Sequence, residues 1–297
     1  MLVKPSQDAI ATIVRAALQE DAPWGDLSSA YFIPPEARIT AHLAAREPGV
    51  LAGEDVFTAA MHLTDPTLTV TFHIHDSEPF EAGTHLATIA GSAQSILQAE
   101  RVALNFTQRL SGIATLTARY VAAIANTKAR IVDTRKTTPN LRLLERYAVR
   151  CGGGHNHRFS LSDAVMLKDN HLAILTANGQ RDLTQSILAA RAHLPHTTHL
   201  EIEVDHPSQI EPVLAAHPDT ILLDNFTTEQ LAAAVQQIKG RALIEASGNV
   251  TLERLPEIAA TGVDIISSGA LTHSARALDL SLDVLPDGPP ARGALTP

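Results

Sequence analysis

The 297-residue sequence is poor in cysteine and aromatic residues, and it has no long hydrophobic run. Its single cysteine excludes an intramolecular disulfide framework and a zinc site built mainly of thiolates. One Trp, three Tyr and seven Phe are few for a surface that stacks nucleic-acid bases, and a net charge of −9 argues against a nucleic-acid coat. No uncharged apolar stretch approaches the roughly 20 residues that a membrane-spanning helix needs. Residues 1–20 are typical of a helix rather than a signal peptide, so we expect a cytoplasmic protein that binds neither nucleic acid nor membrane.

The basic residues are concentrated in one part of the sequence. Between Lys128 and His171, nine Lys and Arg residues stand against four Asp and Glu residues. This window therefore carries +5 and the rest of the chain −14. A cationic centre in an anionic protein indicates a pocket for a small, strongly anionic ligand. A solvated, salt-bridged helix face is the alternative, and it suits the three arginines at four-residue spacing: Arg142, Arg146 and Arg150.

The first third of the chain predicts a mixed α and β domain. Apolar residues from Ile10 to Leu18 recur at helical spacing, and Ser6 is placed to cap that helix. Residues 39–45 and 68–74 alternate between apolar and polar, which is typical of half-buried strands. From 93 to 126 the pattern is helical, and we expect a break at Gly112.

After residue 128, short apolar runs alternate with amphipathic helical stretches. Strands that alternate with helices indicate parallel pairing and right-handed crossovers. Six such units predict a closed or nearly closed α/β barrel, with an open doubly wound sheet as the alternative. The runs are 130–133, 164–168, 200–204, 220–223, 242–245 and 263–267.

Charged residues follow the first four of these runs, where the catalytic groups of an α/β barrel collect. Arginine forks match carboxylates and lysines supply point charges, so the basic set could hold a ligand with two or more carboxylates. The acidic strand ends, Glu203 and Asp224, suit Mg²⁺ or ribose hydroxyls, although paired Glu residues on a strand could instead be salt-bridged inside the barrel. The basic set is Arg135, Lys136, Arg158 and Lys168.

The last two runs end in small, hydroxyl-bearing loops. Ser247-Gly248-Asn249 and Ser268-Gly269-Ala270 each precede a helical stretch, where backbone N–H groups can bind phosphate. Phosphate commonly binds after the last strands of a barrel. An ordinary turn and helix cap is the alternative for each loop.

The segment from Cys151 to His157 contains three consecutive glycines followed by His-Asn-His. With His171, the histidines could be metal ligands, but the surrounding positive charge favours a histidine that hydrogen-bonds an anionic substrate. We interpret Cys151 as a small buried side chain rather than an activated thiol.

Three motifs resemble those of the quinolinate phosphoribosyltransferase family. They are Asp133-Thr-Arg-Lys-Thr-Thr-Pro139, Tyr147-Ala-Val-Arg-Cys-Gly-Gly-Gly-His-Asn-His-Arg158 and Lys168-Asp-Asn-His171. Shorter matches include Glu20–Asp26, Glu201–Val204, Leu222–Phe226, Glu245–Gly248 and Gly262–Gly269, so the resemblance is collinear over nearly the whole chain.

The resemblance implies a type II phosphoribosyltransferase fold. An N-terminal α/β sandwich domain (1–110) would precede an incomplete, TIM-like α/β barrel (111–274), and residues 275–297 would return to the first domain. The alternation from Leu278 to Val284 fits a strand in that return. The resemblance also implies a homodimer or larger assembly, in which Arg101 of one subunit would enter the site of its neighbour.

The resemblance further implies a role for each site residue. Quinolinate carboxylates would be bound by Arg101, Arg135, His157, Arg158 and Lys168. The ribose, pyrophosphate and Mg²⁺ of phosphoribosyl pyrophosphate would be contacted by Lys136, Glu203 and Asp224, the expected catalytic group; Glu203 and Asp224 would hold the metal directly or through water. The 5′-phosphate would lie on Ser247, Gly248, Asn249, Ser268, Gly269, Ala270 and His273, and Thr134 and Glu201 would complete the substrate-binding set.

The implied activity is transfer of phosphoribose to quinolinate with loss of pyrophosphate and CO₂, a step of NAD biosynthesis. One alternative is a family paralogue of the molybdate-transport-associated type that acts on another acceptor. Another is a binding protein on an inherited barrel. The sequence departs from many relatives at Asn249, where they have a small residue, and we expect little effect because backbone N–H groups would bind the phosphate.

Overall fold

The computed structural model describes residues 2–177 and 182–285. Its strands are β1 (Arg38–Ala45), β2 (Gly49–Val50), β3 (Thr69–Phe72), β4 (Pro79–Phe80), β5 (His85–Ser92), β6 (Arg130–Val132), β7 (Val165–Leu167), β8 (Leu200–Val204), β9 (Thr220–Asp224), β10 (Leu243–Ser247), β11 (Ile265–Ser267) and β12 (Leu280–Leu285). The helices are α1 (Gln7–Asp21), α2 (Leu27–Phe32), α3 (Glu54–Thr64), α4 (Ala93–Ala123), α5 (Arg142–Cys151), α6 (Asp169–Ala177), α7 (Leu183–Arg191), α8 (Ile210–Leu214), α9 (Thr228–Ile238), α10 (Leu255–Ala260) and α11 (Ala270–His273), with a 3₁₀ turn at Pro207–Gln209.

The chain divides into two compact units. The first combines the residues up to 116, the segment 138–153 and the residues from 275 onward; the second consists of 117–137 and 154–274. Helix α5 therefore belongs to the first unit, whereas the boundaries expected from the sequence assign it to the barrel. The expected return of the C-terminus is represented by β12, and residues 286–297 lie outside the described residues.

The first unit is built on an antiparallel sheet with strand order β12-β1-β5-β3. Strand β1 pairs with β12 from Thr40↔Leu285 to Ala45↔Leu280, which confirms the strand predicted from the alternation after Leu278. Helix α1 begins where expected, because the Ser6 hydroxyl accepts a hydrogen bond from the Ala9 N–H.

Helix α4 runs unbroken through Gly112, so the predicted break there is wrong. A Cβ at this position would lie 1.9 Å from the carbonyl oxygen of Arg276. Glycine is present because another segment of the same unit packs directly against the helix. The close approach requires a residue without a side chain, and the helix continues through it.

The second unit contains a six-stranded parallel sheet with order β6-β11-β10-β9-β8-β7. All six predicted strands are present within one to two residues of their expected limits. The order leaves β6 and β7 at the two ends of the sheet, which fits an incomplete barrel. Along the described ranges, no helix combines the length and apolar character needed to cross a bilayer.

Candidate active site

The carboxyl ends of the parallel strands surround a cavity of about 360 Å³, which we call the mouth cavity. Parallel strands end at one edge of a sheet, so residues that follow different strands converge there. Nine of the predicted site residues line this cavity: Thr134, Arg135, Lys136, His157, Arg158, Lys168, Glu203, Asp224 and Ser247. Met166, Leu222, Glu245 and Ser267 complete its lining.

Four cations converge on the mouth cavity from three segments of the chain. The guanidinium of Arg158 donates through Nη1 to the carbonyl of Ala164 at 2.9 Å. Arg135 and Arg158 line the same cavity, and burial together with the like charge of Arg135 lowers the pKa of Arg158. Crowded cations favour an anionic ligand that neutralises both of them.

Two carboxylates, Glu203 and Asp224, line the same cavity. Lys168 Nζ donates to Glu203 Oε2 at 2.6 Å, so this cation and this carboxylate are already paired. Mg²⁺ takes oxygen ligands and is commonly held by one or two carboxylates together with substrate phosphates. The two carboxylates fit such a substrate-completed site.

Buried hydrogen bonds hold the two segments that supply most of the cations. Asp133, at the end of β6, is fully buried. Its carboxylate accepts from Asn156 Nδ2 at 2.5 Å and from the His157 backbone N–H at 2.8 Å. Because Arg135 follows Asp133 and Arg158 follows His157, this anchor sets the positions of both arginines.

The two glycine loops differ in their local structure. Ala270 begins α11 directly after Gly269, whereas α10 begins only at Leu255, six residues after Asn249. The expectation of a helix N-terminus therefore applies to the second loop and not to the first, where the N–H groups belong to an irregular loop. A Cβ at Gly269 would lie 2.8 Å from Lys136 Cδ and 3.0 Å from the His273 ring, so glycine lets both side chains approach this loop.

A buried cluster of His157, Glu201 and Glu245 lies beneath the mouth cavity. His157 Nε2 lies 3.0 Å from Glu201 Oε2 and 3.4 Å from Glu245 Oε2. Its Nδ1 lies 2.7 Å from the Arg158 backbone nitrogen, so both ring nitrogens lie against groups of the protein. In this arrangement His157 contributes to the wall of the cavity, and its contact with a substrate carboxylate stays a prediction.

The cluster binds a proton more tightly than its separate groups would. Burial opposes the charged form of His157, but its hydrogen bonds to Glu201 and Glu245 outweigh burial and raise its pKa to about 10. Burial also raises the pKa of Glu201. Within residues 2–177 and 182–285, this is the one group of three or more possible metal ligands, and its tightly held proton fits a hydrogen-bonded ion cluster.

A second cavity of about 420 Å³, the floor cavity, lies where the strands begin. It is lined by the first residues of β9, β10 and β11, which are Thr220, Leu243 and Ile265. Glu201 lines the floor cavity and is absent from the lining of the mouth cavity. It reaches the mouth cavity through His157, which lines both cavities.

The remaining predicted residues lie outside the mouth lining. Arg101 is exposed on α4 of the first unit, and its role in a neighbouring site stays a prediction. Sequence reasoning missed Glu245 as a site residue, although it noted Glu245 at a strand end. It also missed Asn225, whose side chain contacts both Asp224 and Asn249. No spacing signal marks Asn225, because its contacts depend on a left-handed backbone (φ 57°).

Comparison with known proteins matches both units of this architecture. Residues 26–111 match the model of the quinolinate phosphoribosyl transferase N-terminal domain, and residues 113–283 match that of the C-terminal domain. The nicotinate-nucleotide pyrophosphorylase [carboxylating] of Mycobacterium leprae is 42% identical over 286 residues, 93% of this chain and 98% of the relative. Quinolinate phosphoribosyltransferase [decarboxylating] 2b of Nicotiana tabacum is 40% identical and aligns with 94% of this chain and 83% of its own length.

A solved structure shows the same fold. The crystal structure of NadC from Streptococcus pyogenes superposes with a TM-score of 0.90 at 42% identity, and the match covers 95% of this chain and 99% of that one. Two domain models that span residues 26–111 and 113–283, relatives that align with 93% and 94% of the chain, and this structure agree. The chain belongs to the quinolinate phosphoribosyltransferase family.

Proposed function

We propose that the protein transfers the phosphoribosyl group of phosphoribosyl pyrophosphate to the ring nitrogen of quinolinate and releases pyrophosphate and CO₂. The product is nicotinate mononucleotide, a precursor of NAD. The observation that carries the proposal is the mouth cavity, in which four cations and two carboxylates converge. Relatives of matching length carry the names of this activity, so a paralogue that acts on another acceptor is not favoured.

Quinolinate binding is assigned to Arg135, Arg158 and Lys168. A dicarboxylate would neutralise the crowded guanidinium pair, and bidentate arginine–carboxylate bonds would orient the pyridine ring. His157 lies beside Arg158, with its Nδ1 2.7 Å from the Arg158 backbone nitrogen. It would therefore form the wall beside the bound carboxylates.

Phosphoribose transfer breaks the bond between the anomeric carbon and the pyrophosphate oxygen, and the pyridine nitrogen forms the new bond to that carbon. Positive charge develops on the ribose in the transition state. Glu203 and Asp224 would stabilise this charge, and Lys136 would stabilise the departing pyrophosphate. Preorganised charges of this kind are commonly the largest contribution to catalysis.

Decarboxylation follows from the same step. Alkylation makes the ring nitrogen cationic, and the adjacent carbon–carboxylate bond then breaks with its electron pair left on the ring carbon beside that cation. A proton replaces the CO₂ at this carbon. No protein nucleophile is required, so the site needs binding groups and fixed charges only.

Magnesium would be held by Glu203 and Asp224 together with the pyrophosphate of the substrate, directly or through water. Bound there, it would supply positive charge to the leaving group. Lys168 Nζ pairs with Glu203 Oε2 at 2.6 Å, so a quinolinate carboxylate that attracts Lys168 would release a Glu203 oxygen for the metal. This links binding of the acceptor to completion of the metal site.

Assembly and location complete the proposal. We expect a homodimer or larger oligomer in which Arg101 enters the neighbouring site, and a cytoplasmic location. Sedimentation of the purified protein, and complementation between an Arg101→Ala protomer and a protomer with an inactive mouth cavity, test the shared site. Activity recovered on mixing the two inactive variants supports it; mixtures without activity contradict it.

One assay tests the reaction itself. Pyrophosphate and CO₂ are measured from phosphoribosyl pyrophosphate with quinolinate or with nicotinate as acceptor, with Mg²⁺ and with a chelator. We expect equal amounts of both products with quinolinate, none with nicotinate, and loss of turnover in chelator that added Mg²⁺ restores. Turnover with nicotinate alone, or pyrophosphate without CO₂, would contradict the assignment.

A further inference from the structure

Side-chain amides connect Asp224 to the loop that follows β10. Asn225 Nδ2 donates to Asp224 Oδ2 at 2.7 Å. Asn249 Nδ2 in turn donates to Asn225 Oδ1 at 3.1 Å. Asn225 thus uses both ends of its amide, one toward the carboxylate and one toward the neighbouring loop.

The backbone of both loops is shaped around this chain of amides. Asn225 (φ 57°) and Asn249 (φ 49°) adopt the left-handed conformation, in which asparagine is enriched among non-glycine residues. Gly248 packs closely against Asn225, because a Cβ there would come 2.2 Å from Asn225 Oδ1. The Asn225 N–H also donates to the carbonyl of Ser247 at 3.0 Å. The glycine of this loop therefore makes room for the Asn225 amide.

The hydrogen bonds fix the orientation of Asp224. With Oδ2 held by Asn225, the carboxylate cannot rotate freely, and Oδ1 is the oxygen that can face a ligand in the mouth cavity. Asn249 lies in the loop expected to hold the 5′-phosphate. The same chain of contacts therefore sets the distance between the phosphate loop and the Asp224 carboxylate.

The exposure of the two asparagines indicates that their amides contribute to ligand binding more than to folding. Asn225 and Asn249 are both exposed, and hydrogen bonds in water contribute little to folding because water replaces them. The loop has separate support from Arg254, whose Nη1 donates to the Asn249 carbonyl at 3.0 Å. Removal of the amides should thus affect ligand binding and leave the fold intact.

We propose that Asn225 and Asn249 are positioning residues that orient Asp224 toward bound phosphoribosyl pyrophosphate. This inference rests on the proposed function, because it takes Asp224 as a contact of that substrate. It also revises the expectation that Asn249 has little effect: its backbone can bind phosphate like a small residue, but its side chain also reaches the carboxylate through Asn225.

The test uses glycine variants, which keep the left-handed backbone accessible. Binding of phosphoribosyl pyrophosphate with Mg²⁺ and of quinolinate is measured by calorimetry for Asn225→Gly, Asn249→Gly and the double variant, with steady-state kinetics beside it. We expect about 10-fold weaker phosphoribosyl pyrophosphate binding for Asn225→Gly and a smaller, severalfold loss for Asn249→Gly, as is typical of groups behind a ligand contact. Quinolinate affinity and the melting temperature should not change.

The double variant shows whether the two residues act as one chain. If Asn249 acts through Asn225, adding Asn249→Gly to Asn225→Gly costs nothing further. One control matches the changes: Lys239→Gly places a glycine at another left-handed position (φ 55°). This variant should bind phosphoribosyl pyrophosphate like the wild type.

Three results would overturn the inference: wild-type binding in both single variants, fully multiplied losses in the double variant, or equal losses for quinolinate. The outcome is separable from that of the proposed function. Wild-type protein that binds phosphoribosyl pyrophosphate but does not convert quinolinate would overturn the function, and the effect of the amides on binding would still be measured.

Discussion

The mouth and floor cavities lie at opposite ends of the same parallel sheet and differ in charge. The mouth lining contains Arg135, Lys136, Arg158 and Lys168, whereas Arg158 is the one Lys or Arg residue of the floor lining. The floor instead has uncharged strand starts such as Thr220, Leu243 and Ile265. The two cavities share His157, Arg158 and Glu245, which form the layer between them.

The contrast shows how one fold separates stability from chemistry. The loops that leave the strands carry the charged side chains, so a ligand is bound where loop sequences can vary without changing the sheet. The strand interiors carry buried polar groups, and in the His157 cluster the ring pairs with one oxygen of Glu201 and one oxygen of Glu245. We therefore expect substitutions at the mouth to change kinetics and substitutions at the cluster or the floor to change stability.

The largest expected effect is on the layer between the cavities. His157→Ala leaves Glu201 and Glu245 buried without their hydrogen-bond partner, and breaking a buried ion cluster typically costs about 3–5 kcal/mol. Urea unfolding should show this loss of unfolding free energy. His193→Ala, at an exposed position of the same unit, is the control and should change stability little. A His157→Ala variant as stable as the control would show that the cluster contributes nothing to the fold.

A mouth substitution should instead act on the substrate. Arg135→Ala removes a charged hydrogen-bond donor, a loss of roughly 1.5–3 kcal/mol, so we expect the quinolinate KM to rise by about 30-fold. Lys128→Ala is the control, because it also removes one positive charge. Lys128 lies just before β6, the strand that Arg135 follows, and its Nζ pairs with Asp264 at 2.6 Å. Steady-state kinetics should show a change below about twofold for this control. Equal effects of the two variants would remove the distinction between the two ends of the sheet.

The cluster also predicts a pH dependence of stability. The folded-state pKa of His157, about 10, lies above its ordinary value of 6.5, so its contribution is fully present below pH 6.5 and is lost as the pH rises toward 10. One proton changes the unfolding free energy by at most about 1.4 kcal/mol per pH unit. Urea unfolding between pH 6.5 and 10 should show a decline that begins near pH 6.5 in both proteins and ends at a lower pH in Glu245→Gln, where one carboxylate partner of His157 is lost and its folded-state pKa is lower. Superimposable profiles would contradict the prediction.

Sequence reasoning located the mouth because the charged residues directly follow apolar runs. It could not separate Glu201 from Glu203, since both lie on one face of β8 and are two residues apart. Two residues along a strand span about 7 Å, which is enough to place Glu203 at the mouth and Glu201 at the layer below. The alternation of residues predicts which face of a strand a side chain lies on. How far along the strand it lies from the mouth depends on how the neighbouring strands are staggered.

Contacts between distant segments could not be predicted from the sequence, for a related reason. The pairing of His157 with Glu201 and Glu245 joins three strand regions, and the Asn225–Asn249 contact requires two left-handed residues on adjacent loops. The same holds at Gly112, where a close approach by Arg276 explains a glycine that composition alone interprets as a helix break. Local patterns predict elements, but each of these features is decided by what packs against the element.

The smallest expected effect comes from a substitution in the floor cavity. His199 Nε2 lies 2.9 Å from Thr220 Oγ1, and both residues line the floor cavity. His199→Ala removes this hydrogen bond, so unfolding free energy should fall by about 1 kcal/mol or less. KM for both substrates and kcat should stay at wild-type values, because the layer of His157 and Glu245 separates the floor from the reacting groups. A KM change with unchanged stability would show that the layer transmits changes at the floor to the mouth, and that the two ends of the sheet do not act independently.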